Sequence, residues 1–272
     1  MITASIVTYH NSVLEIEKVL KSAIESCIDK IYIIDHYKTD LFRSFEQMSP
    51  KIEYIHNYNK GYGAGNNLAI NLAIAVEKSN YHVVLNPDIY FGADVIEALV
   101  EYMNANNDVG LIMPKVFYPN GELQYLCKLI PTPVDILLRW FIPAAYFKTR
   151  DNRFKLLFSG YDKPMNVPYL SGCFMFLNVA ALKDVGVFDE RFFMHFEDLD
   201  LSRRIHEKYR TMYYPYVSIV HAHAASHRKS FKMLKIGISS AIKYFNKWGW
   251  FFDRERVLTN MKLLKELDYK NK

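Results

Sequence analysis

Short apolar runs alternate with amphipathic segments through the first half of the chain. The runs have the length of buried strands, and the segments between them carry apolar residues at helical spacing. Ser12 followed by Glu15 is a capping box, which predicts a helix that starts directly after it. Strands that alternate with helices indicate an α/β fold with a mostly parallel sheet covered on both faces. The predicted strands are Ile2–Thr8, Lys30–Asp35, Ile52–His56 and Tyr81–Leu85, and the predicted helices are 13–27, 61–75 and 94–103.

The second half of the chain is less regular. Residues 192–206 are acid-rich in their first half and continue as a helix, and residues 212–220 form a strand that leads into His221. Residues 167–177 have the composition of a strand around Ser171 and Gly172. The sequence contains no internal repeat and no low-complexity tract, and nothing marks a flexible linker between separate domains.

Polar side chains follow the predicted strands of the first half at the points where the strands end. Ligands of parallel α/β sheets bind beyond the carboxyl ends of the strands. Four polar clusters at one edge are difficult to explain by packing alone, so this edge is the predicted ligand site. The clusters are residues 8–11 (Thr8, Tyr9, His10 and Asn11), Asp35, residues 59–67 and Asp88.

A glycine-rich loop follows the third predicted strand and opens a helix. Residues 59–67 read NKGYGAGNN, and glycines allow backbone N–H groups to approach a phosphate at a helix N-terminus. A dinucleotide fingerprint is the competing interpretation, but that motif follows the first strand and has the spacing GxGxxG. Here the spacing is GxGxG, and an ordinary turn is the remaining alternative.

Asp88 follows the fourth predicted strand in the turn Asn86-Pro87-Asp88. A carboxylate at a strand end, beside a phosphate site, suits a hard divalent cation, although the same three residues also make an ordinary turn. His221 follows a later strand, and a neutral imidazole there would complete a metal site with Asp88. A zinc site built from His221 and His223 would lack a third ligand of suitable spacing.

Three acidic residues, Glu197, Asp198 and Asp200, lie within four positions at a predicted helix start. Acidic side chains in a first turn compensate the helix dipole, which is the structural interpretation. The apolar and aromatic residues 192–196 come directly before them, however, and a partly desolvated carboxylate has its pKa raised toward that of a general base. We therefore favour a catalytic role for this segment.

The composition is that of an ordered globular protein. Of 272 residues, 50% are hydrophobic and 23% are charged, which excludes an intrinsically disordered chain. Three widely spaced cysteines without a CxxC pair indicate neither a disulfide framework nor a zinc site. No apolar run reaches the roughly 18–20 residues of a membrane span, and the N-terminus lacks the features of a signal peptide. We expect a cytoplasmic protein.

The charge is concentrated in the C-terminal segment. The net charge of the chain is +5, and residues 229–272 alone contain eleven Lys/Arg and four Asp/Glu, a difference of +7. Basic residues interleaved with Trp and Phe suit the surface of an anionic membrane. Nucleic-acid binding uses similar side chains. A third interpretation is a helix that packs its rings on the body of the protein. The apolar stretch 134–147 also has three interpretations: it lines an acceptor groove, contacts lipid or belongs to the core.

Taken together, these motifs resemble the inverting family-2 glycosyltransferases with a GT-A fold, in particular their bacterial rhamnosyltransferase-like branch. The resemblance predicts a GT-A domain over residues 1–228, with a nucleotide-binding half (1–115) and an acceptor and catalytic half (116–228). The basic, aromatic, helical segment 229–272 matches no motif of the family. The residues that carry the resemblance are 5–9 (SIVTY), Asp35, 59–67, 85–88 (LNPD), 171–173 (SGC), 188–193 (FDERFF), 197–201 (EDLDL) and His221.

The resemblance implies a role for each matched residue. Asp198 is the general base, and Glu197 orients the acceptor. Asp88 and His221 hold a divalent cation, Mg²⁺ or Mn²⁺, although Asn86 replaces the first acid of the usual metal motif and removes one charge. The remaining implied sites are nucleotide-binding (Thr8, Tyr9, Asn11, Asp35, Asn59, Gly61, Gly63, Asn66 and Asn86), acceptor or sugar pocket (Ser171 and Gly172) and diphosphate contact (His223 and Arg228).

The implied activity is the transfer of a sugar, by branch resemblance rhamnose, from a nucleotide-diphosphate donor with inversion. The implied acceptor is a saccharide or a polyprenyl-linked saccharide in cell-surface polysaccharide synthesis. The C-terminal segment would then lie on the inner face of the cell membrane, and nucleic acid is not an expected partner. This mechanism requires Asp88 and Asp198 to face each other across one cleft.

Two other functions compete with sugar transfer. A sugar nucleotidyltransferase also needs a glycine-rich loop and a cation, but its loop normally follows the first strand, where this chain has residues 8–11 instead. A non-catalytic nucleotide-sugar-binding protein on the same scaffold would tolerate the Asn86 substitution.

Overall fold

The computed structural model of the protein describes residues 1–37, 39–137, 148–222 and 231–269. The strands are β1 (Ile2–Thr8), β2 (Lys30–Asp35), β3 (Ile52–His56), β4 (Tyr81–Leu85), β5 (Ile89–Phe91), β6 (Val109–Phe117), β7 (Met165–Asn166), β8 (Phe174–Asn178) and β9 (Arg210–His221). The helices are α1 (Val13–Glu25), α2 (Tyr62–Ala75), α3 (Asp94–Ala105), α4 (Pro133–Leu137), α5 (Lys148–Phe154), α6 (Val179–Val185), α7 (Glu197–His206), α8 (Phe231–Trp248) and α9 (Arg254–Glu266). Short 3₁₀ helices cover Leu41–Met48 and Leu157–Ser159.

One nine-stranded sheet organises the described part of the chain. Its order is β3-β2-β1-β4-β8-β6-β9-β5, with β7 also paired to β9. The pairs β1–β2, β1–β4, β2–β3 and β6–β9 are parallel, whereas β8 is antiparallel to both β4 and β6. Within the described sheet, β1, β2, β3, β4, β6 and β9 therefore run in one direction, and β5, β7 and β8 run in the other. The predicted α/β fold with a mostly parallel sheet is confirmed.

The central strands are covered on both faces. All seven residues of β1 and all five residues of β4 are buried, as continuous apolar strands are when helices lie on either side. The predicted capping box starts α1: the Glu15 amide donates to Ser12 Oγ, and the Ser12 amide donates to the Glu15 carboxylate. Parallel pairing places Thr8 opposite Asp35, so the polar strand ends lie at one edge of the sheet.

The sequence interpretation missed a central strand, β6. Gly110 and Pro114 interrupt it and look like strand breakers. A Cβ on Gly110 would lie 2.6 Å from the Ile205 side chain of α7, so glycine is needed where the helix approaches the strand. Pro114 lies at a register shift between β6 and β9, a position at which a strand tolerates proline.

The predicted strand 167–177 was also wrong at its start. β8 begins only at Phe174, and Ser171 and Gly172 lie in the preceding turn. The Gly172 amide there donates to the side chain of Asp198. This loop is drawn toward the first turn of α7 instead of continuing the sheet.

The C-terminal helices pack against α7 and the segment before it. Tyr244 and Phe245 of α8 form a buried cluster with Phe192 and Phe196. This contact favours the packing interpretation for the described part of segment 229–272. No helix in the described ranges is both long and apolar enough to span a bilayer. All three cysteines are free thiols, and the prediction that they form no disulfide framework is confirmed.

A buried ion pair reinforces this packing. Arg203 of α7 donates two 2.7 Å hydrogen bonds to Asp253, the N-cap of α9, and both side chains are only 3% exposed. The indole of Trp248 donates to Asp200 at 2.8 Å, beside the ammonium of Lys247. The helix that carries the predicted base is thus held at its centre by the C-terminal helices.

Candidate active site

The carboxyl end of β2 holds an oriented carboxylate. Asp35 is fully buried and accepts hydrogen bonds from the Thr8 hydroxyl at 2.9 Å, the Tyr37 amide at 3.0 Å and the Tyr54 hydroxyl at 2.9 Å. Burial and the adjacent Asp35 carboxylate together raise the pKa of the Tyr54 phenol. Thr8 and Asp35 are therefore brought together as expected, and their contact with a nucleotide base stays a prediction.

Three rings surround this end of the sheet. Tyr9 is 49% exposed, and its ring centroid lies 4.4 Å from that of His10, which in turn lies 4.3 Å from Tyr37. His10 has a positive φ of 58°, and Asn11 fixes the turn by accepting from the Tyr9 amide at 2.9 Å. An exposed ring beside a buried carboxylate offers a stacking surface and a hydrogen-bond acceptor edge for a base. Sequence reasoning placed His10 in the polar cluster at this edge without giving it a role, and it did not include Tyr37.

The glycine-rich loop packs against the segment that precedes α7. Gly61 has φ +109°, and a Cβ there would collide with the backbone of Phe193. The Tyr62 amide donates to the Phe193 carbonyl oxygen at 2.9 Å, and the Gly61 amide donates to the Asn59 side chain at 3.0 Å. A close backbone approach requires the glycine, and these two amides already have partners within the chain. Binding of the nucleotide by Asn59 and Gly61 stays a prediction.

Gly63 and Asn66 lie deeper in the structure. A Cβ on Gly63 would approach Glu197 Cβ to 3.5 Å. Asn66 is fully buried, accepts from the Ser5 hydroxyl at 2.6 Å and donates to the Tyr62 carbonyl oxygen at 3.0 Å. These contacts give both residues a packing role, while their predicted contact with a nucleotide has no further support from the geometry.

The two acids at the start of α7 have different environments. Asp198 is half-buried, and its carboxylate accepts from the Gly172 amide at 2.9 Å and from the Leu199 amide at 2.8 Å. Two N–H donors fix the direction of this carboxylate. Phe196 begins the helix in the left-handed region, with φ 72°. The turn thereby presents Asp198 toward the loop of Gly172.

Glu197 is the less solvated acid of the pair. It is 6% exposed, and its Oε2 atom has no hydrogen-bond partner among the described residues. Burial raises the pKa of Glu197 well above its ordinary value of 4.5, and the neighbouring Asp198 carboxylate raises it further. The pair therefore consists of an oriented Asp198 and a Glu197 that retains its proton into a higher pH range.

Glu197→Gln is expected to increase the free energy of unfolding at pH 7–8. Because the folded pKa of Glu197 is raised, its contribution is fully present below about pH 4.5 and decreases as the pH rises toward the folded value, by about 1.4 kcal/mol per unit. Glutamine does not titrate, so the advantage of the variant should grow with pH. Urea unfolding at pH 4.5, 6 and 8 measures this difference.

The matched control for this experiment is Glu17→Gln on the exposed face of α1. Its difference from the wild type should be small at every pH, because an exposed carboxyl has no burial cost to remove. A difference for Glu197→Gln that does not change between pH 4.5 and 8 would contradict the raised pKa.

Asp88 and His221 lie together at the ends of β4 and β9. His221 Nε2 is 3.3 Å from Asp88 Oδ1 and 3.4 Å from Asn86 Nδ2. On the other side of the ring, Nδ1 lies 3.0 Å from Gln124 Oε1, and Gln124 Nε2 donates to the His221 carbonyl oxygen at 2.7 Å. A ring that donates Nδ1–H to Gln124 turns its Nε2 atom toward Asp88, where this nitrogen can act as a metal ligand when it carries no proton. Sequence reasoning missed Gln124.

The corner formed by Asp88, Asn86 and His221 fits a hard divalent cation, although it offers the cation few protein ligands. The Nε2 lone pair and the Asp88 carboxylate are two acceptors that face one point, an arrangement stabilised by a cation or a proton between them. The described residues contain no group of three or more His, Cys, Asp or Glu that could hold a metal ion. Phosphate oxygens and water would have to complete the coordination, as is usual for Mg²⁺.

Tyr62 joins this corner to the acid pair. Its hydroxyl lies 2.8 Å from Asn86 Oδ1 and 2.9 Å from the Gly172 carbonyl oxygen. The amide of Gly172 donates to Asp198. Asn86, Tyr62, Gly172 and Asp198 therefore form a continuous chain of contacts from one side of the site to the other.

The charges of both carboxylates act on one buried thiol. Burial raises the pKa of Cys173 to about 12, and the charges of both Asp88 and Asp198 contribute in the same direction. The Asn86 amide donates to the Cys173 carbonyl oxygen at 2.9 Å. That Asp88 and Asp198 face each other across one cleft stays a prediction.

Two further side chains of this site were not expected from the sequence. The Lys128 ammonium lies 4.7 Å from the ring centroid of Tyr169, and the Lys128 amide donates to the Tyr169 carbonyl oxygen at 3.0 Å. Burial and then the charges of Asp198 and Glu197 raise the pKa of the Tyr169 phenol. Neither residue belongs to a recognisable motif. The predicted diphosphate contacts His223 and Arg228 lie outside the described residues.

The chain is similar in sequence to known rhamnosyltransferases. The chain is 28% identical over 164 residues to the N-acetylglucosaminyl-diphospho-decaprenol L-rhamnosyltransferase of Mycobacterium tuberculosis, covering 54% of this chain and only about half (52%) of that protein. It is 23% identical over 239 residues to the rhamnosyltransferase WbbL of Escherichia coli, covering 85% and 84% of the two chains.

A solved structure and a family model complete the comparison. The crystal structure of GalNAc-T7 with UDP, GalNAc and Mn²⁺ matches with a TM-score of 0.59 at 14% identity, over 81% of this chain and 42% of that one. This likeness shows the GT-A fold. The model of Glycosyl transferase family 2 matches residues 5–186. The chain therefore belongs to glycosyl transferase family 2.

Proposed function

We propose that the protein transfers a sugar from a nucleotide-diphosphate donor to an acceptor hydroxyl, with inversion at the anomeric carbon. The observation that carries this proposal is the chain of contacts that leads from Asp88 to Asp198. It runs through His221, Asn86, Tyr62 and Gly172. One side of the site offers a corner for a cation and a diphosphate. The other offers an oriented carboxylate. Family membership supports sugar transfer as the reaction.

Asp198 acts as the general base in this proposal. Its hydrogen bonds from Gly172 and Leu199 hold the carboxylate in one direction, so it can accept the proton of an acceptor hydroxyl as that oxygen attacks. A single displacement by the hydroxyl, on the face opposite the leaving diphosphate, inverts the configuration. Glu197, buried directly before it, shapes the floor of the site and keeps water away from Asp198.

Asp88 and His221 Nε2 would hold a divalent cation, with Asn86 beside them. When bound, Mg²⁺ or Mn²⁺ neutralises charge that develops on the leaving diphosphate. Gln124 keeps the imidazole in the tautomer that this role needs. The Lys128 ammonium contributes positive charge from the protein itself, since it lowers the pKa of Cys173 against the effect of the two carboxylates.

The relatives suggest the substrates. Both sequence relatives are rhamnosyltransferases by name, and one name specifies a diphospho-decaprenol acceptor. We therefore propose a rhamnosyl nucleotide as donor and a saccharide on a polyprenyl diphosphate as acceptor, in cell-surface glycan synthesis. The reaction would take place in the cytoplasm at the inner face of the cell membrane.

The test is a thermal-shift panel of nucleotide sugars with and without Mn²⁺, followed by transfer to polyprenyl-linked acceptors. A bound donor raises the melting temperature in proportion to the logarithm of its concentration over its Kd. NMR of the product then gives the anomeric configuration. Retention of configuration would contradict the single displacement. Release of pyrophosphate from a nucleoside triphosphate and a sugar phosphate would show that the reaction is nucleotidyl transfer and not sugar transfer.

Asn86→Asp is expected to strengthen Mn²⁺ binding by about tenfold, because a second carboxylate adds a charged oxygen to the corner. The Tyr62 hydroxyl that faces Asn86 Oδ1 at 2.8 Å can donate equally well to aspartate. Electron paramagnetic resonance titration of Mn²⁺ with the nucleoside diphosphate present measures this affinity. Asn80→Asp, exposed before the other end of β4, is the matched control and should change nothing. Equal affinity in the Asn86 variant would place the cation elsewhere.

A further inference from the structure

A cavity lies between α9, α5 and residues 129–135. It has a volume of about 160 Å³. Residues 129 and 130 are anchored to α9 through Asn260, whose side chain donates to the Ile130 carbonyl oxygen and accepts from the Ile130 amide, both at 2.9 Å. We name this cavity the arginine groove. Its lining comprises Leu129, Ile130, Thr132, Asp135, Arg150, Arg153, Phe154, Arg256, Val257, Asn260 and Met261.

Three arginines give the groove a positive charge. Arg150 is paired with Asp135. Arg153 is exposed and makes no ion pair with any described residue. Arg256 is only 4% exposed, and its Nη1 atom has no hydrogen-bond partner among the described residues, with the Asp253 carboxylate 3.8 Å away. A buried guanidinium with an unused donor, beside an unpaired exposed one, is suited to a phosphate or diphosphate.

Apart from Thr132, Asp135 and Asn260, the rest of the lining is apolar, and part of it is exposed. Leu129, Ile130 and Phe154 form buried walls of the groove, and Val257 and Met261 at its edge are 50% and 60% exposed. The turn before α9 carries Phe251 and Phe252, which are 80% and 97% exposed. Phosphate-binding side chains next to an open apolar path match a ligand that joins a charged head to a hydrocarbon chain.

The groove is adjacent to the active site along the chain. Leu129 and Ile130 directly follow Lys128, whose ammonium lies over Tyr169 and acts on Cys173 together with Asp88 and Asp198. Two residues of extended chain span only about 7 Å. A ligand in the groove would therefore have its charged end close to the site where the acceptor hydroxyl must lie.

We propose that the arginine groove binds the diphosphate and the first isoprene units of a polyprenyl-diphosphate-linked acceptor. The inference rests on the proposed function, since it assigns the lipid part of the acceptor to a place in the fold. Arg153 and Arg256 bind the diphosphate, and Met261 and Val257 contact the isoprene chain. The exposed Phe251 and Phe252 extend the apolar surface toward the membrane from which the chain emerges.

Farnesyl diphosphate is the probe, because it carries the diphosphate and three isoprene units without a sugar. Isothermal titration calorimetry with the full chain should show binding that farnesol or inorganic pyrophosphate alone reproduces only weakly. Arg153→Glu should weaken binding by about tenfold or more, since it replaces an attractive charge with a repulsive one. Lys265→Glu, an equal charge change at an exposed position of the same helix outside the groove, should leave it unchanged.

Met261→Gln tests the hydrocarbon part separately, because it removes an apolar contact without adding a charge. It should weaken the binding of farnesyl diphosphate and leave the binding of inorganic pyrophosphate unchanged, whereas Arg153→Glu should weaken both. Short-chain phosphatidylglycerol is added as a competitor. If it displaces farnesyl diphosphate at equal concentration, the groove is a site for bilayer headgroups and the proposal is overturned.

Donor binding distinguishes a failure of the groove proposal from a failure of the proposed function. Nucleotide-sugar affinity is measured in the same proteins and should be equal in wild type, Arg153→Glu and Met261→Gln. If donor and transfer are normal but farnesyl diphosphate does not bind, or binds equally well to Arg153→Glu, the groove proposal fails alone. If no nucleotide sugar binds the wild type, the proposed function fails whatever the groove binds.

Discussion

Asp198→Asn is expected to lower sugar transfer by about 10²–10⁴-fold, the usual contribution of a positioned general base. The amide keeps the size of the side chain and one oxygen for the Leu199 or Gly172 N–H donors, but it cannot accept the proton of the acceptor hydroxyl. The donor contacts lie elsewhere, so the Kd for the nucleotide sugar should change less than about threefold. Single-turnover kinetics with saturating donor measure the loss in the chemical step.

The control is Asp94→Asn, an equal change at an exposed position in the first turn of α3. Its transfer rate should match the wild type. An Asp198→Asn protein with full activity would remove this residue as the base. A large loss of donor affinity in Asp198→Asn would also contradict the account, because it would make this carboxylate a part of the donor site.

Asp253→Asn is expected to lower the free energy of unfolding by about 3–5 kcal/mol, because it leaves the buried Arg203 guanidinium without its counter-charge. Both side chains are 3% exposed and share two 2.7 Å hydrogen bonds. Arg203 belongs to the helix that begins with the acid pair, so transfer should become heat-sensitive in parallel. Urea unfolding and the temperature dependence of activity measure the two effects.

An exposed ion pair provides the comparison. Asp184 and Lys208 are 43% and 55% exposed, so Asp184→Asn should cost less than about 1 kcal/mol. Replacing both Arg203 and Asp253 with leucine should recover part of the stability lost in the single variant, because no unpaired charge remains. A loss as small for Asp253→Asn as for Asp184→Asn would show that the C-terminal helices contribute little to holding α7.

The strands and the polar edge of the sheet were predictable because local patterns determine them. β1, β2, β3 and β4 have the predicted bounds, since each is a short apolar run between polar residues. The capping box at Ser12 marks the start of α1 by its own hydrogen bonds. Parallel pairing then brings Thr8 beside Asp35 without further information. Such features depend on neighbours a few residues apart.

The contacts that the sequence did not reveal join distant segments. Gln124 orients His221 across 97 residues, and Lys128 reaches Tyr169 from a stretch with no periodic pattern. No motif marks either residue, because an amide or an ammonium serves many surface positions equally well. Only the fold shows that they belong to the site.

The glycine-rich loop illustrates the same limit. Its glycines suggest a phosphate cradle. Gly61 is required, however, because a side chain there would collide with the backbone of Phe193, more than 130 residues away in the chain. The basic C-terminal segment likewise has the composition of a membrane-binding tail, while Tyr244 and Phe245 are buried against Phe192 and Phe196. In both cases the residue type was informative, but its partner was decided by tertiary packing.

The most direct measurement is a crystal structure of the full chain with a nucleotide sugar and Mn²⁺, using the Asp198→Asn protein to prevent turnover. The account predicts the diphosphate and Mn²⁺ at Asp88 and His221, with the anomeric carbon of the sugar facing residue 198 across Tyr62. A diphosphate bound away from Asp88, or a sugar that turns its anomeric carbon away from residue 198, would contradict it.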